Sequence, residues 1–172
     1  MRRSVAVIVS TVAAALASPL LSGCGEDVGA GITRGEDGER AVRQAVITVV
    51  PDVLAAAGVA VDADTALRGG YRRCGDEEGR AQYVAEQTFT PATDPLPRLV
   101  RVEQALTTAG WTTRGPRDDI LTAEAPTGRG EVRAAATVLG TDLRLRFEAP
   151  CVRLGDDAVR YLLARRTGFV PL

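Results

Sequence analysis

The stretch DLRLRFEA, residues 142–149, decides the fold of this chain. Apolar and charged residues alternate along it, and this period of two is typical of a strand with one buried and one solvated face. The alternation sorts the side chains into an apolar set, Leu143, Leu145, Phe147 and Ala149, and a charged set, Arg144, Arg146 and Glu148. It predicts an antiparallel sheet, because such sheets commonly bury one face and expose the other.

Further strands and helices are predicted on the N-terminal side of this stretch. Strands are expected at 64–74, 81–90, 111–114, 118–125, 131–139 and 142–149. Apolar residues recur every three to four positions over 37–58 and from Pro95 to Ala109, which predicts two main helices, the first kinked or restarted at Pro51. Gly58 is expected to end the first helix and Gly110 the second. A short C-terminal helix is expected from Asp156 through Arg166, ended by Gly168. The order predicts an α+β two-layer sandwich, an antiparallel sheet with two main helices on one face and a short C-terminal helix.

The composition of the chain removes most catalytic chemistry. Its 172 residues suggest one domain, and a formal net charge of −1 gives no basic field for nucleic acid. Histidine, lysine and asparagine are absent, all 21 basic residues are arginine, and no serine follows Ser22. Serine and cysteine nucleophiles activated by histidine or lysine are therefore excluded, as are zinc sites that need imidazole. The sequence predicts a protein that is not an enzyme, with no cofactor and no metal.

The acidic side chains are the remaining candidates for catalytic groups. Two acidic clusters, at 76–78 and 118–119, are interpreted as solvated turns. The alternative is a carboxylate-dependent enzyme acting on cell-envelope polysaccharide, for which two facing acids are required. A Ca²⁺ site is disfavoured, because neither cluster has the spacing of an EF-hand loop.

The N-terminus is typical of an export signal. Arg2 and Arg3 precede an apolar run, Val5 to Leu21, which predicts a secretory signal peptide over 1–23, with a transmembrane anchor as the alternative. Residues 24–36 are rich in glycine and acids and predict a flexible tether. The single globular domain is then expected at 37–172.

The signal ends in Leu21-Ser22-Gly23-Cys24, which resembles the lipobox of bacterial lipoproteins. The resemblance implies that the Cys24 thiol receives a diacylglyceryl group and that the signal peptide is cut just before it. A secreted lipoprotein held on the extracytoplasmic face of the cell membrane is expected. With its tether, one disulfide and a compact α+β domain, the chain is similar to small actinobacterial envelope lipoproteins of unknown function.

Cys74 and Cys151 are the two remaining cysteines. If the protein is exported, they can form a disulfide, because disulfides persist outside the cytoplasm. A disulfide is predicted, and a closed loop of this size stabilises the fold by about 4 kcal/mol in the chain-entropy model. A metal site or a redox pair is the alternative, and neither a CxxC spacing nor a histidine supports it.

Basic spots and the single tryptophan are the candidate ligand contacts: Arg72, Arg73, Arg144, Arg146 and Trp111. The arginines suit anionic glycopolymers or lipid headgroups, or they belong to a balanced, solvated sheet face. Trp111 is either a binding aromatic or a core residue. We expect a lipid-anchored, non-enzymatic binding or accessory module of unknown ligand, whose partners are the membrane and an envelope protein or glycopolymer. A purely structural envelope component is the third interpretation, and it predicts no substantial pocket.

Overall fold

The computed structural model describes residues 27–62, 65–125, 132–165 and 168–172. The predicted signal peptide, the lipobox with Cys24 and the predicted helix end at Arg166 lie outside the described residues. The elements in chain order are α1 Val28–Ala57, β1 Ala66–Arg73, β2 Arg80–Phe89, a 3₁₀ turn Leu96–Arg98, α2 Leu99–Thr108, β3 Thr112–Arg117, β4 Ile120–Glu124, β5 Arg133–Leu139, β6 Asp142–Glu148, β7 Val152–Arg153, α3 Asp156–Ala164 and β8 Gly168–Pro171.

The strands form one antiparallel sheet in the order β3-β4-β5-β6-β2-β1-β8, and β7 pairs with the start of β2. All three helices pack on one face of this sheet. The predicted α+β two-layer sandwich is confirmed. The stretch over 142–149 supplies β6, which lies between β5 and β2 near the middle of the sheet.

The core lies between the helices and the sheet, and β6 contributes its apolar set to it. Leu143 is 1% exposed and Phe147 is 2% exposed, whereas Arg144 between them is exposed on the other side. A ring of this size contributes about 3 kcal/mol when it is fully removed from water. The period of two in the sequence therefore becomes the division between the two faces of the sheet.

Helix α1 starts nine residues earlier than the sequence predicts, and the tether prediction is wrong for residues 28–36. Asp27 caps the helix by accepting a hydrogen bond from the Gly29 amide, 3.0 Å long. The glycines that suggested flexibility serve close packing instead: a Cβ on Gly31 would lie 2.0 Å from the Leu154 carbonyl oxygen, and one on Gly35 would lie 2.5 Å from the Leu162 side chain. The helix also runs through Pro51 without restarting.

Helix α2 ends at Thr108, and the predicted terminating glycine, Gly110, follows its C-cap residue Ala109. Gly110 has a φ of 84°, in the left-handed region that glycine adopts without strain. The Trp111 amide then donates to the Leu106 carbonyl over 2.9 Å, which closes the helix end. The Trp111 ring is 6% exposed and stands edge-on to Phe147, with centroids 6.0 Å apart, so it is a core residue.

Two short strands were not predicted from the sequence. β7 spans two residues, and β8 begins at Gly168, where the sequence predicted only the end of a helix. β8 pairs with β1 and buries Val170 completely against the core. Helix α3 itself is shorter than expected and ends at Ala164. Five C-terminal residues carry too little pattern to reveal a strand whose pairing partner lies a hundred residues away.

Cys74 and Cys151 lie at disulfide-bonding distance, with their Cα atoms 6.1 Å apart. Cys74 follows β1 directly, and Cys151 precedes β7. Arg80 supports the same corner by donating to the Cys151 carbonyl over 3.1 Å. The predicted pair therefore joins the end of β1 to the chain that leaves β6.

Candidate binding face

The sheet face opposite the helices is uncovered by any described element and carries charged side chains. The registers of β1 to β6 place alternate residues of each strand on it. We call it the open face. The charged residues that line its two concavities are Arg68, Arg72, Glu86, Arg114, Glu124, Arg133, Arg144, Arg146 and Glu148. These six arginines and three glutamates give a side-chain balance of 6 − 3 = +3, on a chain whose net charge is −1.

Two concavities indent the open face. Concavity A, of about 490 Å³, lies over β3 to β6 and is lined by Thr112, Arg114, Thr122, Ala123, Glu124, Arg133, Ala134, Ala135, Arg146 and Glu148. Concavity B, of about 500 Å³, lies over β1, β2 and β6 and is lined by Arg68, Gly70, Tyr71, Arg72, Val84, Glu86, Gln87, Thr88 and Arg144. The two are adjacent, because β6 contributes to both.

Ion pairs neutralise the strip between the two concavities. Arg72 donates to Glu86, and Arg146 lies 3.8 Å from the other oxygen of the same carboxylate. Arg146 also donates to Glu148 through Nε over 3.0 Å. Beneath this layer, Val84 is only 2% exposed although it points away from the helices. The long side chains cover it, so the paired residues form a packed floor.

Excess positive charge lies on both sides of that strip. In concavity A, one carboxylate serves two arginines, since Glu124 lies 3.9 Å from both Arg114 and Arg133. In concavity B, Arg68 and Arg144 have no ion-pair partner among the residues that the structure describes. All four arginines are exposed, and guanidinium groups bind phosphate and carboxylate through paired N–H donors. Both concavities are therefore suited to anions.

The structure brings three of the five predicted contact residues together. Arg72, Arg144 and Arg146 share the open face. Arg73 does not, because it follows Arg72 in the strand and belongs to the opposite parity. Trp111 does not either, because it is buried in the core. Both residues therefore lie outside the open face, and their role as ligand contacts stays a prediction.

Sequence reasoning missed three arginines of the open face: Arg68, Arg114 and Arg133. A signal for Arg68 was present in β1, where it alternates with the small Gly70 and with Arg72. Arg133 lies directly opposite Glu148 on β6, and that register cannot be read from one strand alone. Strand order is what places Arg114, Arg133 and Arg146 over one concavity.

A second polar cluster lies under the helices. The Tyr71 hydroxyl donates to Glu39 over 2.8 Å, and Arg43 donates to the other oxygen of that carboxylate over 2.9 Å. The Arg165 guanidinium lies 5.7 Å from the centre of the Tyr71 ring. Burial, and then the hydrogen bond to Glu39, raise the pKa of Tyr71 well above its ordinary value. Burial likewise raises the pKa of Tyr83, whose ring stands edge-on to Tyr71. The cluster ties α1 and the residue after α3 to the sheet.

The predicted acidic clusters are surface turns in the structure. The three acids of 76–78 are exposed in the connection between β1 and β2, and Asp118 and Asp119 are exposed between β3 and β4. Within the described ranges, no group of three histidine, cysteine or acidic side chains is placed to hold a metal ion.

Comparison with known proteins gave no relative: no protein-family model, curated protein or solved structure matches the chain. Among the helices of the described residues, none has the length and hydropathy that crossing a membrane requires.

Proposed function

We propose that this protein is a lipid-anchored envelope protein that acts without catalysis, as a binding module whose open face takes an anionic ligand. The observation that supports the binding role is the excess of three positive charges among the residues lining the two concavities of the open face, in a chain that is acidic as a whole. Such a local field attracts polyanions and raises their rate of association. Histidine and lysine are absent from the chain, and serine is absent after Ser22, although most hydrolytic and transfer chemistry depends on these residues.

The anchor part of the proposal depends on Cys24. The apolar run and the Leu21-Ser22-Gly23-Cys24 motif support it, and two acyl chains on one thiol are enough for stable membrane attachment. Metabolic labelling with an alkyne fatty acid tests it directly. Label is expected on the wild-type chain and absent from Cys24→Ala, whereas label that survives the substitution contradicts the anchor.

The binding part depends on the arginines without carboxylate partners. Inorganic polyphosphate is a suitable probe, because it presents dense negative charge without base or sugar groups. We expect Arg68→Gln with Arg144→Gln to weaken its binding about tenfold and to flatten its salt dependence. The matched control is Arg40→Gln with Arg160→Gln, which removes two exposed arginines from the helices. Equal losses in both double variants would mean that net charge alone, and not the open face, attracts the anion.

A second candidate function is carboxylate-dependent hydrolysis of envelope polysaccharide. It is favoured by one observation: Glu124 and Glu148 both line concavity A, on β4 and β6, whose backbones are separated by β5 and lie roughly 10 Å apart. Arginines engage both carboxylates, at 3.9 Å and 2.9 Å, which is unlike a general acid presented to a glycosidic oxygen. Release of reducing ends from purified cell-wall polysaccharide, abolished in Glu124→Gln, would support the enzyme over the binding module.

A further inference from the structure

The two concavities are arranged along a line that crosses the strands. Concavity A begins at β3 and concavity B ends at β1, and both lie on one face of the sheet. In the order β3-β4-β5-β6-β2-β1 these outer strands are five inter-strand spacings apart, which corresponds to roughly 24 Å. A single headgroup or sugar ring fills one concavity, whereas an extended chain is needed to reach both.

Charge follows the same line. Concavity B holds Arg68 and Arg144, which have no ion-pair partner within the described ranges, and concavity A holds Arg114 and Arg133 around one carboxylate. The strip between them is occupied by carboxylates paired with arginines. A matching ligand therefore needs negative groups at both concavities, whereas the charge-balanced strip between them adds no net attraction. Repeated anionic groups on a polar chain have this property.

Shape argues against a bilayer as the partner. The open face is indented, whereas a membrane surface is flat over this distance. Helix α1, the described element nearest in sequence to Cys24, lies on the opposite side of the sheet. An anchored molecule need not turn its open face to the lipid.

The lining residues favour a sugar chain over a nucleic acid. Single-stranded nucleic acids are bound by aromatic rings on which bases stack, and the one aromatic residue at the two concavities, Tyr71, is engaged under the helices by Tyr83 and Glu39. Threonines accompany the arginines instead, at positions 88, 112 and 122. Hydroxyl side chains are suited to donate to and accept from sugar hydroxyls.

We propose that the ligand is an extended anionic glycopolymer, a sugar or polyol chain with repeated phosphate or carboxylate groups, which lies across the strands and occupies both concavities at once. This inference rests on the proposed anion-binding function and adds the class and the length of the ligand. Binding through two separate sites makes affinity depend on chain length, because the second contact is intramolecular once the chain spans both.

Galacturonate oligomers test the proposal, since every sugar in them carries a carboxylate and defined lengths can be prepared. Binding is measured by calorimetric titration of the purified protein in neutral detergent micelles, for oligomers from dimer to decamer. We expect affinity to rise about a hundredfold once the oligomer spans both concavities, and then to level off. Arg114→Gln with Arg133→Gln, and Arg68→Gln with Arg144→Gln, should each remove this gain for long oligomers. The control Arg40→Gln with Arg160→Gln should retain it, and circular dichroism establishes that every variant is folded.

The other outcomes separate this inference from the proposed function. Equal affinity for short and long oligomers, still lowered in Arg68→Gln with Arg144→Gln, would keep the anion-binding function and overturn the extended ligand. Failure of galacturonate and polyphosphate alike would overturn both. Micelles doped with phosphatidylglycerol that block oligomer binding, with the block relieved in Arg68→Gln with Arg144→Gln, would assign the face to lipid headgroups. Tighter binding of single-stranded DNA than of the longest oligomer would assign it to nucleic acid.

Discussion

The two faces of the sheet are built from the same strands, but one buries apolar side chains and the other exposes charged ones. On the covered face, Leu145 and Phe147 are 2% exposed and pack against α1, α2 and Trp111. On the open face, their neighbours Arg144 and Arg146 meet solvent and carboxylates. Burial of apolar area stabilises a fold strongly, whereas exposed ion pairs contribute little. One face therefore holds the molecule together, and the other is available for ligand contacts at little cost in stability.

The largest expected difference in stability between the two faces comes from two substitutions on β6. Phe147→Ala removes a buried ring and should lower the free energy of unfolding by about 3–5 kcal/mol. Arg144→Ala, three residues away on the open face, should change it by less than about 0.5 kcal/mol. Guanidinium unfolding followed by circular dichroism measures both. Similar losses in the two variants would mean that the open face contributes to stability as much as the core does.

The contact between α1 and α3 gives the next largest effect. Gly31→Ala places a Cβ 2.0 Å from the Leu154 carbonyl oxygen, and backbone atoms cannot move aside as a flexible side chain can. We expect a loss of about 1–3 kcal/mol in unfolding free energy, although alanine favours a helix over glycine.

Gly29→Ala is the matched control for that substitution. Its Cβ meets only the Asp27 side chain, at 3.2 Å, so the variant should be unchanged or slightly more stable. A Gly31→Ala protein as stable as the Gly29→Ala protein would show that residues 28–36 are not packed against α3, and that the tether interpretation was correct.

The smallest expected effect is a pH dependence of the unfolding free energy that comes from Tyr71. A raised pKa of Tyr71 in the folded state favours folding while the phenol is neutral, so this contribution is complete below the ordinary tyrosine pKa of about 10 and is lost as pH rises above it. Tyr71→Phe should cost about 1 kcal/mol at neutral pH, because a hydrogen bond to Glu39 is removed, and should decline less steeply in alkali. The exposed Tyr161 provides the control, Tyr161→Phe, whose free energy of unfolding at neutral pH should match that of the wild type. Identical alkaline slopes for wild type and Tyr71→Phe would contradict the assignment.

Much of the fold follows from local patterns in the sequence. The alternation over 142–149 correctly divides β6 between two faces, and Gly58 and Gly110 end α1 and α2 where the sequence predicts. The prediction was wrong where glycine is needed for close packing. Gly31 and Gly35 suggest flexibility in the sequence, but in the structure they are buried between two helices. Composition cannot distinguish a glycine that permits movement from one that permits contact.

The candidate site was less predictable than the fold. The sequence identified Arg144 and Arg146 because they lie in a strongly alternating strand, but Arg68 joins them only through the register of β1 and β2. That juxtaposition spans 76 residues of chain, and no local pattern encodes it. Arg73 shows the converse, since it directly follows Arg72 and lies on the other face, because successive side chains of a strand point to opposite faces.

The early start of α1 limits how far the molecule can reach. Three residues, 25–27, separate Cys24 from Val28, and four extended Cα–Cα steps cover at most about 14 Å. If Cys24 carries the proposed lipid, this short connection keeps the domain close to the membrane surface. It then samples a thin layer of the envelope, and a polymer that it captures has to pass within that layer.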